Sequence, residues 1–169
     1  MRLILLFLIV FSITVSAEVK HKDSAGFIVS GEIEVSGDAT KVWKQLLRID
    51  QWWEDSHSFS GKAANLYLDI ANEKCFCEKW NDNWTRHLAV VHVQPKLLLV
   101  LEGGLGPLQA EGLLGALTIK LEQKMMTTQL SWHYKVHGYA ANGIDSWAAP
   151  VDGVLKKQFD NLRSRLSGL

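Results

Sequence analysis

The chain has 169 residues, with 18 lysine and arginine residues balanced by 18 aspartate and glutamate residues. This length is sufficient for one domain with a buried core. The balanced charge excludes a strongly basic nucleic-acid-binding protein, and the sequence contains no repeat or charge block typical of fibrous or disordered chains.

Segment 1–17 has the features of a secretory signal peptide. Arg2 supplies a positive charge, and the apolar run over residues 3–15 is followed by small residues that end at Ala17. Spanning a bilayer takes about 20 residues, so the run is short for a membrane span, although an uncleaved anchor is the alternative. We therefore expect cleavage after Ala17 and a single mature domain over 18–169. This domain would reside in a periplasm or outside the cell, with no membrane association after cleavage.

The first mature elements are predicted to be a strand and a helix. Apolar and polar residues alternate over 27–35, which predicts a strand with one buried face. Asp38 follows as a suitable helix cap, and apolar residues recur at helical spacing over 42–49. The pair Trp52 and Trp53 marks the point where the chain is expected to return to the sheet.

Six further strands and a long terminal helix are predicted. Alternation and turn signals place the strands at 65–70, 74–80, 86–93, 97–102, 116–122 and 127–136. Their short connections favour antiparallel pairing of neighbours. The final helix has an apolar stripe from Trp147 to Leu166, with Pro150 near its start. This order is α+β, a curved antiparallel sheet around a long C-terminal helix, and the space between them is the default ligand site.

A series of short motifs occurs in order along the chain. They are Val42-Trp43, Trp52-Trp53 before His57-Ser58-Phe59-Ser60-Gly61, Cys75-Phe76-Cys77-Glu78, His87 with Val90-Val91, Gly104-Leu105-Gly106-Pro107-Leu108-Gln109, Gly138-Tyr139 and Ala149-Pro150-Val151-Asp152. Their order resembles the helix-grip fold of the START/Bet v 1-like (SRPBCC) superfamily, and is most similar to its Hsp90-activator-homology and polyketide-cyclase-like branch. The resemblance covers nearly all of the mature chain. One departure is Asn72-Glu73-Lys74, where a glycine is expected before the Cys-Phe-Cys segment.

This resemblance implies a cavity for hydrophobic or amphipathic small molecules. It does not imply one activity, because members of the superfamily bind lipids and hormones, cyclise polyketides or assist other proteins. No cofactor is expected.

Glu78 and His87 are the candidate catalytic pair. If the hairpin turn centres on Asp82 and Asn83, paired residue numbers sum to 165 and Glu78 lies directly opposite His87, on a face shared with Phe76. A buried carboxylate can orient an imidazole for proton transfer. A structural ion pair is the alternative, and a shift of one residue in the register would separate the two side chains.

Cys75 and Cys77 are predicted to be buried free thiols. In a regular strand their Cβ atoms lie about 7 Å apart, whereas a disulfide needs about 4 Å, so we expect no bridge between them. An intermolecular disulfide or redox role is an alternative. A metal site that includes His92 is another, but it lacks a clear fourth ligand, and Cys-x-Cys is not a strong zinc spacing. We therefore predict no metal site.

Aromatic residues are the main candidates for the wall of the cavity. Tryptophan and tyrosine offer large apolar surfaces with one polar atom, although ordinary core packing is the alternative for each. His57 is placed at the cavity mouth. The predicted ligand-binding residues are Trp53, His57, Phe76, Trp80, Trp132 and Tyr134.

The leading functional hypothesis is an exported protein that binds a hydrophobic or amphipathic small molecule between the sheet and the C-terminal helix. The first alternative is a cyclase- or hydrolase-type enzyme that uses the Glu78–His87 pair, although the common hydrolase signatures are missing. The second alternative is an interaction module acting on another exported protein, for which the sequence marks no partner surface.

Overall fold

The computed structural model describes residues 18–168, so the predicted signal peptide lies outside the described residues. Within this range the chain forms eight strands and two α-helices, joined by loops and short 3-10 turns. They are β1 (Glu18–Lys22), β2 (Gly26–Ser36), α1 (Ala39–Leu47), β3 (Leu66–Asp69), β4 (Cys75–Trp80), β5 (Asn83–Gln94), β6 (Leu98–Glu102), β7 (Leu114–Gln123), β8 (Thr127–His137) and α2 (Ala148–Ser167).

All eight strands belong to one antiparallel sheet in the order β1-β2-β8-β7-β6-β5-β4-β3. The chain leaves β2 through α1, crosses to the far edge and returns as a meander, so that β8 pairs with β2 along all eleven residues of both strands. The long helix α2 packs on β2. The predicted helix-grip architecture is therefore confirmed.

Two features of the strands differ from the sequence prediction. Residues 18–22 form β1, which pairs with β2 through Val19 and Val29, whereas the sequence pattern predicted no strand before residue 27. This segment has a single apolar side chain, so its sequence carries no alternation, and only pairing with the edge of the sheet makes it a strand. The other difference is that β5 begins at Asn83 rather than at residue 86.

The loop between β3 and β4 is stabilised by the Asp69 side chain in place of the expected glycine. Lys74 adopts a left-handed backbone with φ of 51°. The Asp69 carboxylate accepts hydrogen bonds from the backbone N–H groups of Ala71, Asn72 and Glu73, at 2.8, 3.0 and 3.1 Å. These bonds hold the pKa of Asp69 down at about 2. The polar cap thus stabilises a turn that a glycine would otherwise adopt more easily.

The middle of the sheet–helix interface is tightly packed. Trp132 of β8 stacks on Phe159 of α2 with ring centroids 4.0 Å apart. Gly31 lies opposite Trp132 in β2, and a Cβ atom at Gly31 would come within 2.3 Å of the indole ring. Nearby, a space of only about 20 Å³ remains. The centre of the interface therefore has no room for a ligand.

Asp38 caps α1 as predicted, because its side chain accepts a hydrogen bond from the backbone N–H of Lys41 at 2.8 Å. Among residues 18–168, no helix is long and apolar enough to cross a membrane.

Candidate functional site

An open pocket of about 260 Å³ lies at one end of the sheet–helix interface. Five parts of the chain line it: Trp53, residues 56–59, His87 of β5, residues 105–108, and the start of α2 with the residue before it. Most of the wall is apolar. The pocket thus lies away from the tightly packed middle of the interface.

A β-bulge in β5 lies at His87, which lines this pocket. Phe76 pairs with Leu88, but the next residue, Cys77, pairs with Arg86, so that His87 is the extra residue in β5. The bulge interrupts the normal alternation, and His87 and Leu88 are consecutive yet both buried. His87 is thus one of a few polar side chains in a mostly apolar interior.

The predicted hairpin register was wrong. Trp80 pairs with Asn83 and Glu78 with Thr85, because the chain turns through the two residues after Trp80, and Asn81 there takes a left-handed φ of 49°. Glu78 therefore does not pair with His87 across the ladder. The two side chains still meet, because His87 lies two residues beyond Thr85 and Glu78 Oε2 lies 2.9 Å from His87 Nε2.

The buried Glu78 carboxylate also holds the loop over the pocket. Its two oxygens accept hydrogen bonds from the backbone N–H groups of Phe59, at 3.0 Å, and Ser60, at 2.7 Å. Burial raises the pKa of Glu78, but the hydrogen bonds from Ser60, Phe59 and His87 outweigh it and leave the pKa below its ordinary value. The carboxylate is therefore ionised at neutral pH and can only accept hydrogen bonds.

His87 is neutral at neutral pH, with its proton on Nε2. Burial lowers the imidazole pKa below its ordinary value of 6.5, and the opposing effect of Glu78 is smaller. Because Glu78 can only accept, the ring proton lies on Nε2 and Nδ1 keeps its lone pair. The ring is sandwiched between Phe59 and Phe76, at centroid distances of 5.4 and 4.7 Å.

The second ring nitrogen of His87 belongs to a residue that lines the pocket. Nδ1 has no hydrogen-bond partner within residues 18–168, and His87, which is 3% exposed, is one of the lining residues. The pocket thus has a hydrogen-bond acceptor in its wall.

Only two of the six predicted ligand-binding residues line the pocket. They are Trp53, whose indole N–H donates to the His57 carbonyl at 2.9 Å, and His57 itself, which is exposed at the mouth. Phe76 lies behind His87 and supports its ring. Trp80 is half-buried and next to the hairpin turn, away from the pocket.

Trp132 and Tyr134, which were also expected to touch the cavity, are core residues. The Tyr134 hydroxyl donates to the Gly103 carbonyl at 2.7 Å and accepts from the Leu105 N–H at 3.0 Å, and burial raises its pKa to about 12. Tyr134 therefore acts on the pocket indirectly, by holding the start of the loop that forms one wall.

Several lining residues were not among the predicted ligand-binding residues. They lie in the loop after β6 and at the start of α2: Leu105, Pro107, Leu108, Trp147, Pro150, Val151 and Val154. The glycine- and proline-rich segment 103–107 is the sequence feature that could have indicated these residues, because its composition predicts an irregular loop near the cavity. The apolar periodicity of α2 could not show which turn of the helix faces a space instead of the core.

The prediction of two free thiols was wrong, because Cys75 and Cys77 form a disulfide. Their Cα atoms are 5.5 Å apart, whereas two residues of regular strand span about 6.6 Å. The strand is thus shorter than regular between the two cysteines, and this distance lies within the range that a disulfide spans; the register with β5 shifts at the same point. The sulfur atoms lie near Glu73, but as a disulfide they offer no thiolate to a metal, and His92 is exposed on β5.

Comparison with known proteins supports the fold and nothing finer. No protein-family model matches the sequence, and no curated protein matches it either. Solved structures do match. An uncharacterised protein from Rhizobium leguminosarum has a TM-score of 0.60 at 15% identity, covering 92% of this chain and 99% of its own. CalU16 from Micromonospora echinospora has a TM-score of 0.56 at 11% identity, with coverages of 92% and 83%.

A third similar structure is DynU16, a protein of the dynemicin biosynthetic locus, with a TM-score of 0.57 at 16% identity. The match covers 82% of this chain but 46% of DynU16. At these identities the likeness shows the fold alone. The chain therefore has a helix-grip fold, as CalU16 and DynU16 do.

The lowered pKa of His87 predicts a loss of stability on mild acidification. A group whose pKa is lower in the folded state stabilises the fold above its unfolded pKa, here 6.5, and the contribution is lost as the pH falls through the folded pKa. The loss is about 1.4 kcal/mol for each unit of lowering. Urea denaturation should therefore give a smaller free energy of unfolding at pH 5.5 than at pH 7.5.

His87→Phe should remove this part of the pH dependence, whereas the control His92→Phe, at an exposed site on the same strand, should retain it. An identical pH dependence in His87→Phe and the wild type would contradict the assignment.

Proposed function

We propose that this chain binds a small, largely apolar molecule in the pocket at the end of the sheet–helix interface. The observation that carries the proposal is an open apolar pocket with one buried, neutral imidazole in its wall. Its volume of about 260 Å³ is close to the lower end of small-molecule sites, which is about 300 Å³. An apolar wall with few oriented polar groups is typical of such sites.

The architecture of the pocket also favours binding over mere imperfect packing. The Glu78 carboxylate holds residues 59–60 on one side, and Tyr134 holds Leu105 on the other. Two separate buried polar groups thus fix the two loops that form the mouth. Because these hydrogen bonds fix the loops before any ligand binds, the pocket is pre-formed, and a pre-formed site loses less entropy on binding.

A substitution that fills the pocket should abolish binding. Val154 lines the pocket from α2, so Val154→Trp places an indole inside it. Native mass spectrometry of protein purified from its own host should detect a retained small molecule in the wild type and none in Val154→Trp. Arg165→Trp, an exposed site on the same helix, is the matched control and should retain the molecule. Equal retention by Val154→Trp would place the ligand elsewhere.

A second candidate function is an enzyme in which His87 acts as a general base. The observation that favours it is the arrangement of Glu78, His87 and the pocket. The carboxylate orients the ring through Nε2 at 2.9 Å, and leaves Nδ1 free to take a proton from a bound substrate. Chemistry of the cyclase type needs such a base next to an apolar cavity, so the geometry is compatible with turnover as well as with binding.

Binding and catalysis can be separated at His87. If His87 is the base, His87→Gln should lower the rate of conversion of the retained molecule by about 100-fold or more while the molecule still binds. The rate would be followed by mass spectrometry of the product in single-turnover conditions. An unchanged rate in His87→Gln would leave binding as the function.

We also propose that the mature protein is exported. Segment 1–17 has the features of a signal peptide, and an intramolecular disulfide is typical of oxidising compartments. N-terminal sequencing of the protein from its own host should begin at Glu18, and thiol labelling of the unfolded protein should require prior reduction. A chain that begins at Met1 with two labelled thiols would contradict export.

A further inference from the structure

A second histidine of the pocket also has a fixed tautomer. Gln158 of α2 is fully buried, and its side-chain amide contacts two residues of the segment 54–57, Glu54 and His57. One end of the amide lies 2.8 Å from the backbone nitrogen of Glu54, and the other lies 2.7 Å from His57 Nδ1.

The backbone N–H of Glu54 determines which atoms donate and which accept in these two hydrogen bonds. The N–H of Glu54 can only donate, so the amide atom facing it is the acceptor Oε1. The other end is therefore the NH2 group, which can only donate, and His57 Nδ1 must accept. In this arrangement the proton of His57 lies on Nε2, and the ring presents an N–H group.

The two histidines thus offer opposite hydrogen-bonding groups to one pocket. His87 is held by an acceptor, Glu78, and its remaining nitrogen is an acceptor. His57 is held by a donor, Gln158, and its remaining nitrogen is a donor. Both residues line the same pocket, His87 at a buried position and His57 at the exposed mouth.

We infer that the pocket selects a neutral amphipathic molecule with a hydroxyl or N–H donor for His87 Nδ1 and a carbonyl-type acceptor for the Nε2–H of His57. This inference rests on the proposed function and specifies its ligand class. The apolar body of the molecule would lie against Pro107, Pro150 and Val154.

The donor requirement follows from burial. His87 is a buried residue in a mostly apolar wall, so a ligand that covers Nδ1 without donating a hydrogen bond to it leaves a polar atom unpaired. Sites that contain such a group discriminate against analogues that lack the matching partner. The preference at His57 should be weaker, because its exposed ring can still bond to water.

Four aromatic probes of similar size test the inference by isothermal titration calorimetry at pH 7.5. Naphthalene carries neither group, and 2-naphthol carries the hydroxyl donor. The probe 2-acetylnaphthalene carries the carbonyl acceptor, and 6-hydroxy-2-acetylnaphthalene carries both. The hydroxyl should tighten binding by about three- to tenfold, and the acetyl group by a smaller factor. The probe with both groups should bind most tightly.

Two variants assign the groups to their histidines. His87→Phe should remove the advantage of the hydroxyl and leave that of the acetyl group, whereas His57→Phe should do the reverse. His92→Phe, an exposed site on β5 outside the pocket, should leave all four affinities unchanged. Circular dichroism of each variant confirms that it is folded before the titration.

The outcomes separate the inference from the proposed function. Equal affinities for all four probes, or a hydroxyl advantage that survives in His87→Phe, would overturn the inference and leave a purely apolar binding site. If none of the four binds the wild type, the proposed function fails and the inference fails with it.

Discussion

The buried carboxylate of Glu78 is the group on which the site depends. It receives hydrogen bonds from three places: the backbone of Phe59, the backbone of Ser60 and the ring of His87. A single charge in the sheet thus fixes both a loop and the tautomer of a histidine. Removing one partner from such a network costs more than one hydrogen bond, because the remaining buried groups lose their pairing.

The residue that this carboxylate contacts, His87, is the extra residue of the β-bulge. The extra residue in β5 places His87 and Leu88 on the same side of the sheet, and Phe76 between the two cysteines packs on the imidazole ring. The disulfide joins Cys75 and Cys77, the two residues that flank Phe76 in β4. The irregular backbone, the cross-link and the polar pair therefore form one local structure, and bulges of this kind often lie next to functional residues.

The pocket exists at the end of the interface because the middle is filled. Trp132 and Phe159 bring β8 and α2 into close contact, and Gly31 leaves room for the indole ring. Near the start of α2, the wall that faces the helix is formed by loops instead of the sheet. Glu78 and Tyr134 hold these loops in place through hydrogen bonds to their backbone. Ligand size and polarity are thus determined by loop residues and two histidines, while the broad aromatic core supplies stability.

Local sequence determined the regular elements, because hydrophobic periodicity records which face of a strand or helix is buried. The alternation of β7 and β8, the stripe of α2 and the cap at Asp38 were all readable from the chain. Tertiary structure alone decided the register at His87, the Cys75–Cys77 bridge, the pairing of β1 and the choice of pocket residues. These depend on contacts between residues far apart in sequence, or on a one-residue irregularity whose stability comes from packing, and neither leaves a periodic signal.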